Sequence, residues 1–163
     1  MRAFRIEAEQ RVELLPGVVM KVSEAMTREV RVANPEETVQ KAAELMASLD
    51  AGVLPVGEKD HLVGMITDRD IAIRGIAKGK GPKAKVRDVM TKDVKYCFED
   101  QEIEEVTRNM ADIQVRRLPV LNREKRLVGI LSLGDIATSR VGNGAEDALR
   151  GISRPGGEHT QTG

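Results

Sequence analysis

Two short stretches carry side chains whose types and spacing can do chemistry. In Gly64-Met65-Ile66-Thr67-Asp68-Arg69-Asp70 a hydroxyl stands three residues before a carboxylate. In Gly129-Ile130-Leu131-Ser132-Leu133-Gly134-Asp135 the same order returns. Each apolar run, Leu62 to Ile66 and Leu127 to Leu131, is too short for a helix and leads into Ile-led apolar residues, so each stretch reads as a buried strand running into a helix. A hydroxyl and a carboxylate so spaced have two uses. They can close on the first N–H groups of their own helix as a capping box. They can instead face outward, at a helix start that favours anions. The residue types alone leave both uses open.

Other chemistries find little support. No nucleophile, base and orienting group fall into a set, and no pair of carboxylates suits acid–base catalysis, so no enzymatic activity and no catalytic cofactor are expected. His61 and His159 stand without clustered ligands, and no metal site is expected. Cys97 is the single cysteine, which excludes an intramolecular disulfide; in an apolar segment it reads as a small packed hydrophobe. Charged residues make up 32% of the 163 and balance, 26 basic against 26 acidic. A net charge of zero gives no sign of nucleic-acid or membrane attraction. Phe4, Tyr96 and Phe98 are the only aromatics, too few for a stacking platform. Arg2, Arg5, Glu7, Glu9, Arg11 and Glu13 break up the N-terminal region, and no apolar span fits elsewhere, so a soluble, cytoplasmic protein is expected.

The elements that position the two stretches repeat as well. Met26 matches Met90 and Pro55 matches Pro119 at an offset of 64, whereas Gly64 matches Gly129 at 65, so one residue is inserted between Pro and Gly, where a turn tolerates it. Val39, Ala42, Met46 and Leu49 match Ile103, Val106, Met110 and Ile113, and their spacing is one apolar stripe of a helix. The chain is therefore a duplication of about 60 residues, near the lower limit for an independent core. The two halves are expected to share one core.

Each repeat opens on a helical turn (Val22 to Thr27, Val86 to Thr91). Short strands are expected at Val30 to Val32 and Val94 to Phe98. The first amphipathic helix is expected to start at Asn34-Pro35 with Asn34 as cap and to end near Leu49; Asp100 is the candidate cap of its counterpart. A hairpin follows, through Pro55 or Pro119 and a polar turn, then a last helix from Asp68 to about Ala77 or Leu133 to about Arg140. Proline inside those strands points to edge or irregular positions. Gly79-Lys80-Gly81-Pro82-Lys83 lacks the phosphate-loop pattern and reads as a solvated linker. The fold class is α/β of the α+β type: two β-α-β-β-α repeats packed with pseudo-two-fold symmetry. The division is an extension over 1–20, repeats over 21–80 and 86–140, and a tail over 141–163. Within these ends, Leu14 to Val19 could form a strand or arm, 145–152 a helical turn, and Arg154 to Gly163 a mobile tail.

From Lys21 to Arg140 this pattern resembles a pair of cystathionine-β-synthase (CBS) domains, the tandem arrangement called a Bateman module. The most specific element is Gly, two apolar residues, Thr or Ser, two residues, Asp, intact at Gly64…Thr67…Asp70 and Gly129…Ser132…Asp135. The resemblance implies a stand-alone regulatory module that binds an adenine nucleotide such as AMP, ADP or ATP between the repeats, forms a homodimer and signals to a protein partner. Some family members take S-adenosylmethionine or dinucleotides instead. In that role Asp70 and Asp135 would accept from the ribose hydroxyls, Thr67 and Ser132 would donate to a phosphate, and Gly64 and Gly129 would let a ligand approach the backbone. Val32 and Tyr96 are expected near adenine, and Pro55 and Pro119 at the pocket wall. Arg116 and Arg117 are candidate phosphate ligands near Asp135, and Arg69 near Asp70. The alternative reading is a ligand-free dimerisation or scaffold module.

Overall fold

A computed structural model of the chain describes residues 19–139 and 143–153. In order, the elements are α1 (Val22–Ala25), α2 (Val39–Leu49), β1 (Val53–Glu58), β2 (His61–Thr67), α3 (Asp68–Asp70), β3 (Cys97–Phe98), α4 (Ile103–Asp112), β4 (Arg117–Leu121), β5 (Leu127–Ser132), α5 (Leu133–Thr138) and α6 (Asn143–Ile152). Helix α3 continues through a wide π turn at Ile71–Gly75 and a tight 3-10 turn at Ile76–Lys78. A further 3-10 turn at Val86–Asp88 opens the second repeat. The arrangement is α+β, as the repeat pattern implies.

The inserted residue lies in the hairpins. In the first, Lys59 and Asp60 form a two-residue turn, both with positive φ. In the second, Arg123 to Lys125 form a three-residue turn, with Lys125 at φ 60°. There the N–H of Asn122 donates to the Arg126 carbonyl at 3.0 Å.

The opening segments are exchanged between the repeats. Thr27 pairs antiparallel with Ile130 in β5, and its equivalent Thr91 pairs with Met65 in β2. Lys21 pairs with Glu102 at the start of α4, and its equivalent Lys85 with Thr38 at the start of α2. His61 and Arg126, themselves equivalent, pair with each other, which places the pseudo-two-fold axis between them. The cores follow this exchange. One holds Val22 and Met26 from the first repeat among Ile103, Val106, Met110, Leu118, Leu131 and Ile136. The other holds Val86 and Val89 from the second repeat among Val39, Ala42, Leu54, Val56 and Ile66. Among the described residues there are thus two cores, each completed by the other half, in place of the single shared core expected from length.

The exchange also explains the glycines. A Cβ on Gly64 would stand 2.6 Å from Met90 Sδ and 2.9 Å from the Thr91 carbonyl oxygen. On Gly129 it would stand 2.7 Å from Met26 Sδ and 2.9 Å from the Thr27 oxygen. Their missing side chains make room for the other repeat's methionine and backbone.

Several expected boundaries move. Before β1 the first repeat has only a bridge, Ala33 with Val56, where the second repeat has β3 paired parallel to β4; residues 28–32 form no strand, nor do 94–96. Asn34 closes a turn by accepting from Glu36 N–H at 2.9 Å, and α2 is capped by Thr38, which accepts from Lys41 N–H at 3.2 Å. Asp100 is no cap: it accepts from Arg123 at 2.8 Å, and α4 starts behind Glu102 without a side-chain cap. Proline shapes both hairpins; β4 lies between β3 and β5, but β3 reaches only Val120 and Leu121, so Pro119 stands beyond it. Helix α6 is longer than the expected turn and packs on α4, with the Gln114 amide donating to the Gly151 carbonyl at 3.1 Å. The expectations for Leu14 to Val18, Arg140 and Arg154 to Gly163 lie outside the described residues.

Candidate functional site

Both hydroxyl–carboxylate pairs form capping boxes. In the first repeat Thr67 Oγ1 accepts from Asp70 N–H at 3.0 Å, and Asp70 Oδ2 accepts from Thr67 N–H at 3.1 Å. In the second, Ser132 Oγ accepts from Asp135 N–H at 3.1 Å, and Asp135 Oδ2 accepts from Ser132 N–H at 2.8 Å and from Ser132 Oγ at 2.7 Å. Each box satisfies donors that a helix start would otherwise leave bare. Each also fixes the carboxylate where a strand meets a helix.

The surroundings differ. A cleft of about 290 Å³ opens beside Asp135 and Ser132. Its wall holds Arg117 from β4, Pro55 and Val53 from β1, and the segment Thr27 to Arg31. The exchange of opening segments brings Thr27 there, because its bridge to Ile130 lays the first repeat's opening beside β5. Arg117 is exposed at the rim, and no cation pairs with Asp135 among the described residues. The cleft therefore offers the Asp135 carboxylate, two guanidiniums (Arg117 and Arg31), a second carboxylate (Glu29) and an apolar wall.

At the first repeat, Arg74 Nε lies 3.6 Å from Asp70 Oδ1. Its Nη1 donates to Thr91 Oγ1 at 3.0 Å and reaches the Met90 carbonyl at 3.4 Å. Arg74, on the carboxylate's own helix, thus links Asp70 to the second repeat's opening segment. Arg69 is exposed beside it.

Of the sequence-derived residues, the structure brings Pro55, Arg117, Ser132 and Asp135 into one cleft. Thr67, Arg69 and Asp70 stand together at the other site. Val32 lines a separate cavity of about 560 Å³ beside the pseudo-dyad, with Arg28, His61 and Arg126. Tyr96 lines the equivalent cavity on the other side, with Lys92 and Lys125. Arg116 is exposed next to Arg117, and Pro119 is buried in β4 opposite Ile130. The sequence reading missed Arg74 and the Thr27 to Arg31 segment. The i, i+4 spacing of Asp70 and Arg74 was a usable signal. The cross-repeat placement of Thr27 had none.

Cys97 is buried, and burial pushes its thiol up to about 12, so it stays a protonated, packed thiol at neutral pH. Among the described residues no three His, Cys, Asp or Glu side chains gather as a metal site, and no helix is long and apolar enough to cross a membrane.

Comparison with known proteins places these features. The family model for the CBS domain matches residues 22–74 and 86–142. The chain is 39% identical over 133 residues to a CBS domain-containing protein of Bacillus subtilis, YhcV, covering 81% of this chain and 94% of that one. It superposes with a TM-score of 0.69 on a conserved CBS domain protein of unknown function from Thermoplasma acidophilum, at 26% identity over 82% of this chain and 76% of that one. It superposes at 0.65 on the CBS domain pair of protein MJ0100 in complex with 5'-methylthioadenosine and S-adenosyl-L-methionine, at 26% identity, covering 74% and 94%.

Proposed function

The chain belongs to the CBS domain family, and from that premise we propose that it is a non-catalytic regulatory module that binds an adenine nucleotide in the Asp135 cleft and passes its occupancy to a protein partner. The observation that carries this reading is the meeting of Asp135, Ser132 and Arg117 with an apolar wall in one cleft. A carboxylate accepts from both hydroxyls of a ribose, and a guanidinium pairs with phosphate. The apolar wall of Val53, Leu54, Pro55 and Val30 suits a purine face. Its volume, about 290 Å³, lies at the lower edge of small-ligand pockets, roughly 300–1,000 Å³. The bound adenosine compounds of the MJ0100 domain pair support the same ligand class. The working unit is the pair of repeats at 21–80 and 86–140, in the cytoplasm, as a homodimer of the 17.9 kDa chain.

Thermal melting tests the ligand reading. A ligand at a hundred times its dissociation constant adds about 2.7 kcal/mol. For a chain of this size that raises the melting temperature by roughly 5–10 °C. AMP, ADP, ATP, NAD and S-adenosylmethionine are each added at millimolar concentration, and at least one is expected to give that shift. No shift with any of them would favour the scaffold reading.

A further inference from the structure

We infer that Arg74 closes the Asp70 site from within, so that the chain carries one working ligand site, at Asp135, and not the two that its duplication suggests. The inference rests on the ligand-binding reading above. A carboxylate can receive a ligand's hydroxyls only through an oxygen that is not already taken. At Asp70 both oxygens are engaged: Oδ2 by the Thr67 N–H and Oδ1 by the Arg74 guanidinium. The Asp70 side chain is 12% exposed and that of Arg74 45%, so the carboxylate is mostly covered while the guanidinium stands half in water, where the pair is partly screened.

Arg74 does more than neutralise Asp70. Its Nη1 donates to Thr91 Oγ1 and reaches the Met90 carbonyl, so it ties the first repeat's last helix to the second repeat's opening segment. At the other site the matching segment, Thr27 to Arg31, lines the open cleft. The π turn at Ile71–Gly75 carries Arg74 one turn beyond Asp70. The position equivalent to Arg74 in the second repeat is Ser139, at the offset of 65, a residue without charge. Asp135 Oδ2 serves the box, and the described residues put no cation on the other oxygen. A ligand at Asp135 meets an acceptor; a ligand at Asp70 must first displace a cation held at three points.

Equilibrium dialysis and titration calorimetry with AMP and S-adenosylmethionine as probes test this on the full chain. At a probe concentration that just fills the wild-type site, the wild type is expected to bind one molecule per chain, Asp135→Ala, weakened roughly 10- to 150-fold, close to none, and Arg74→Ala two. The double variant Arg74→Ala/Asp135→Ala is expected to bind one, at Asp70. Two molecules on the wild type, one on Asp135→Ala, or one on a folded Arg74→Ala would each overturn the role given to Arg74. Should Arg74→Ala fail to fold, Arg74→Gln removes the charge from Asp70 while keeping a donor for Thr91, and the same two-site result is expected. A wild type and an Arg74 variant that both bind neither probe would overturn the ligand reading itself, and this inference with it.

Discussion

The first and second repeats share their capping boxes, their exchanged openings and their glycine cradles, yet they differ in what surrounds the carboxylate. Around Asp70 stand Arg69, Arg74 and the Gly52-Val53 pair; around Asp135 the same positions are Gly134, Ser139 and Arg116-Arg117. In the first repeat the cation sits on the carboxylate's own helix and closes on it. In the second the cations that line the cleft, Arg117 on β4 and Arg31 on the first repeat's opening segment, lie on other elements than the carboxylate's own helix. The number of charges near the two carboxylates is similar. Their placement, one turn along a helix or across a strand, separates a closed pair from an open cleft.

The comparison can be broken first at the exchange of openings. Met26→Ala is expected to cost about 2–5 kcal/mol, as for other buried methionines. Although Met26 belongs to the first repeat by sequence, it packs in the second repeat's core. Hydrogen exchange should therefore speed up at Leu118, Val120 and Leu131 before it does at Leu54 and Ile66. Loss of protection confined to the first repeat would contradict the exchange.

Binding gives the next largest difference. Asp135→Ala should weaken adenine-nucleotide affinity by about 1.5–3 kcal/mol, roughly 10- to 150-fold, whereas Asp70→Ala should leave the affinity near wild type. Titration calorimetry reads this, with melting of both free variants alongside, because each substitution also removes a box. Equal losses from the two variants would erase the distinction between the sites.

The cradles should behave alike. Gly64→Ala and Gly129→Ala each force a Cβ against a methionine sulfur and a backbone oxygen. The sulfur can swing away but the carbonyl cannot, so each should cost about 1–3 kcal/mol in urea unfolding. A loss from one and none from the other would show that the two exchanges are not equivalent.

The smallest effect concerns Glu36 and Asp100, equivalent positions held from different sides. A hydrogen bond from Lys85, in the other repeat's opening, lowers the Glu36 carboxyl; a hydrogen bond from Arg123, in its own repeat's hairpin, lowers Asp100. A carboxyl lowered on folding adds stability above its unfolded value and loses it as the pH falls through the folded one. Arg123→Ala should therefore lower stability slightly near neutrality and flatten the acid-side decline, while the contribution of Glu36 persists. Urea midpoints measured from pH 6 downward check the sign; a steeper acid decline in the variant would refute it.

The sequence by itself determined the duplication, the two hydroxyl–carboxylate pairs at helix starts, the α+β class and the inserted turn residue. Each of these is written in local order: a hydroxyl three residues before a carboxylate, an apolar stripe at helical spacing, an offset that changes from 64 to 65 between Pro and Gly. Only the tertiary structure decided which opening completes which core. An internal repeat makes the near and far partners alike, and Met26 and Met90 suit either cradle by composition. It also decided that Pro55 lines the Asp135 cleft, that Val32 and Tyr96 line other cavities, and that Arg74 reaches Thr91 of the other repeat. Those facts depend on how the two halves are laid against each other, and no spacing along one chain records that.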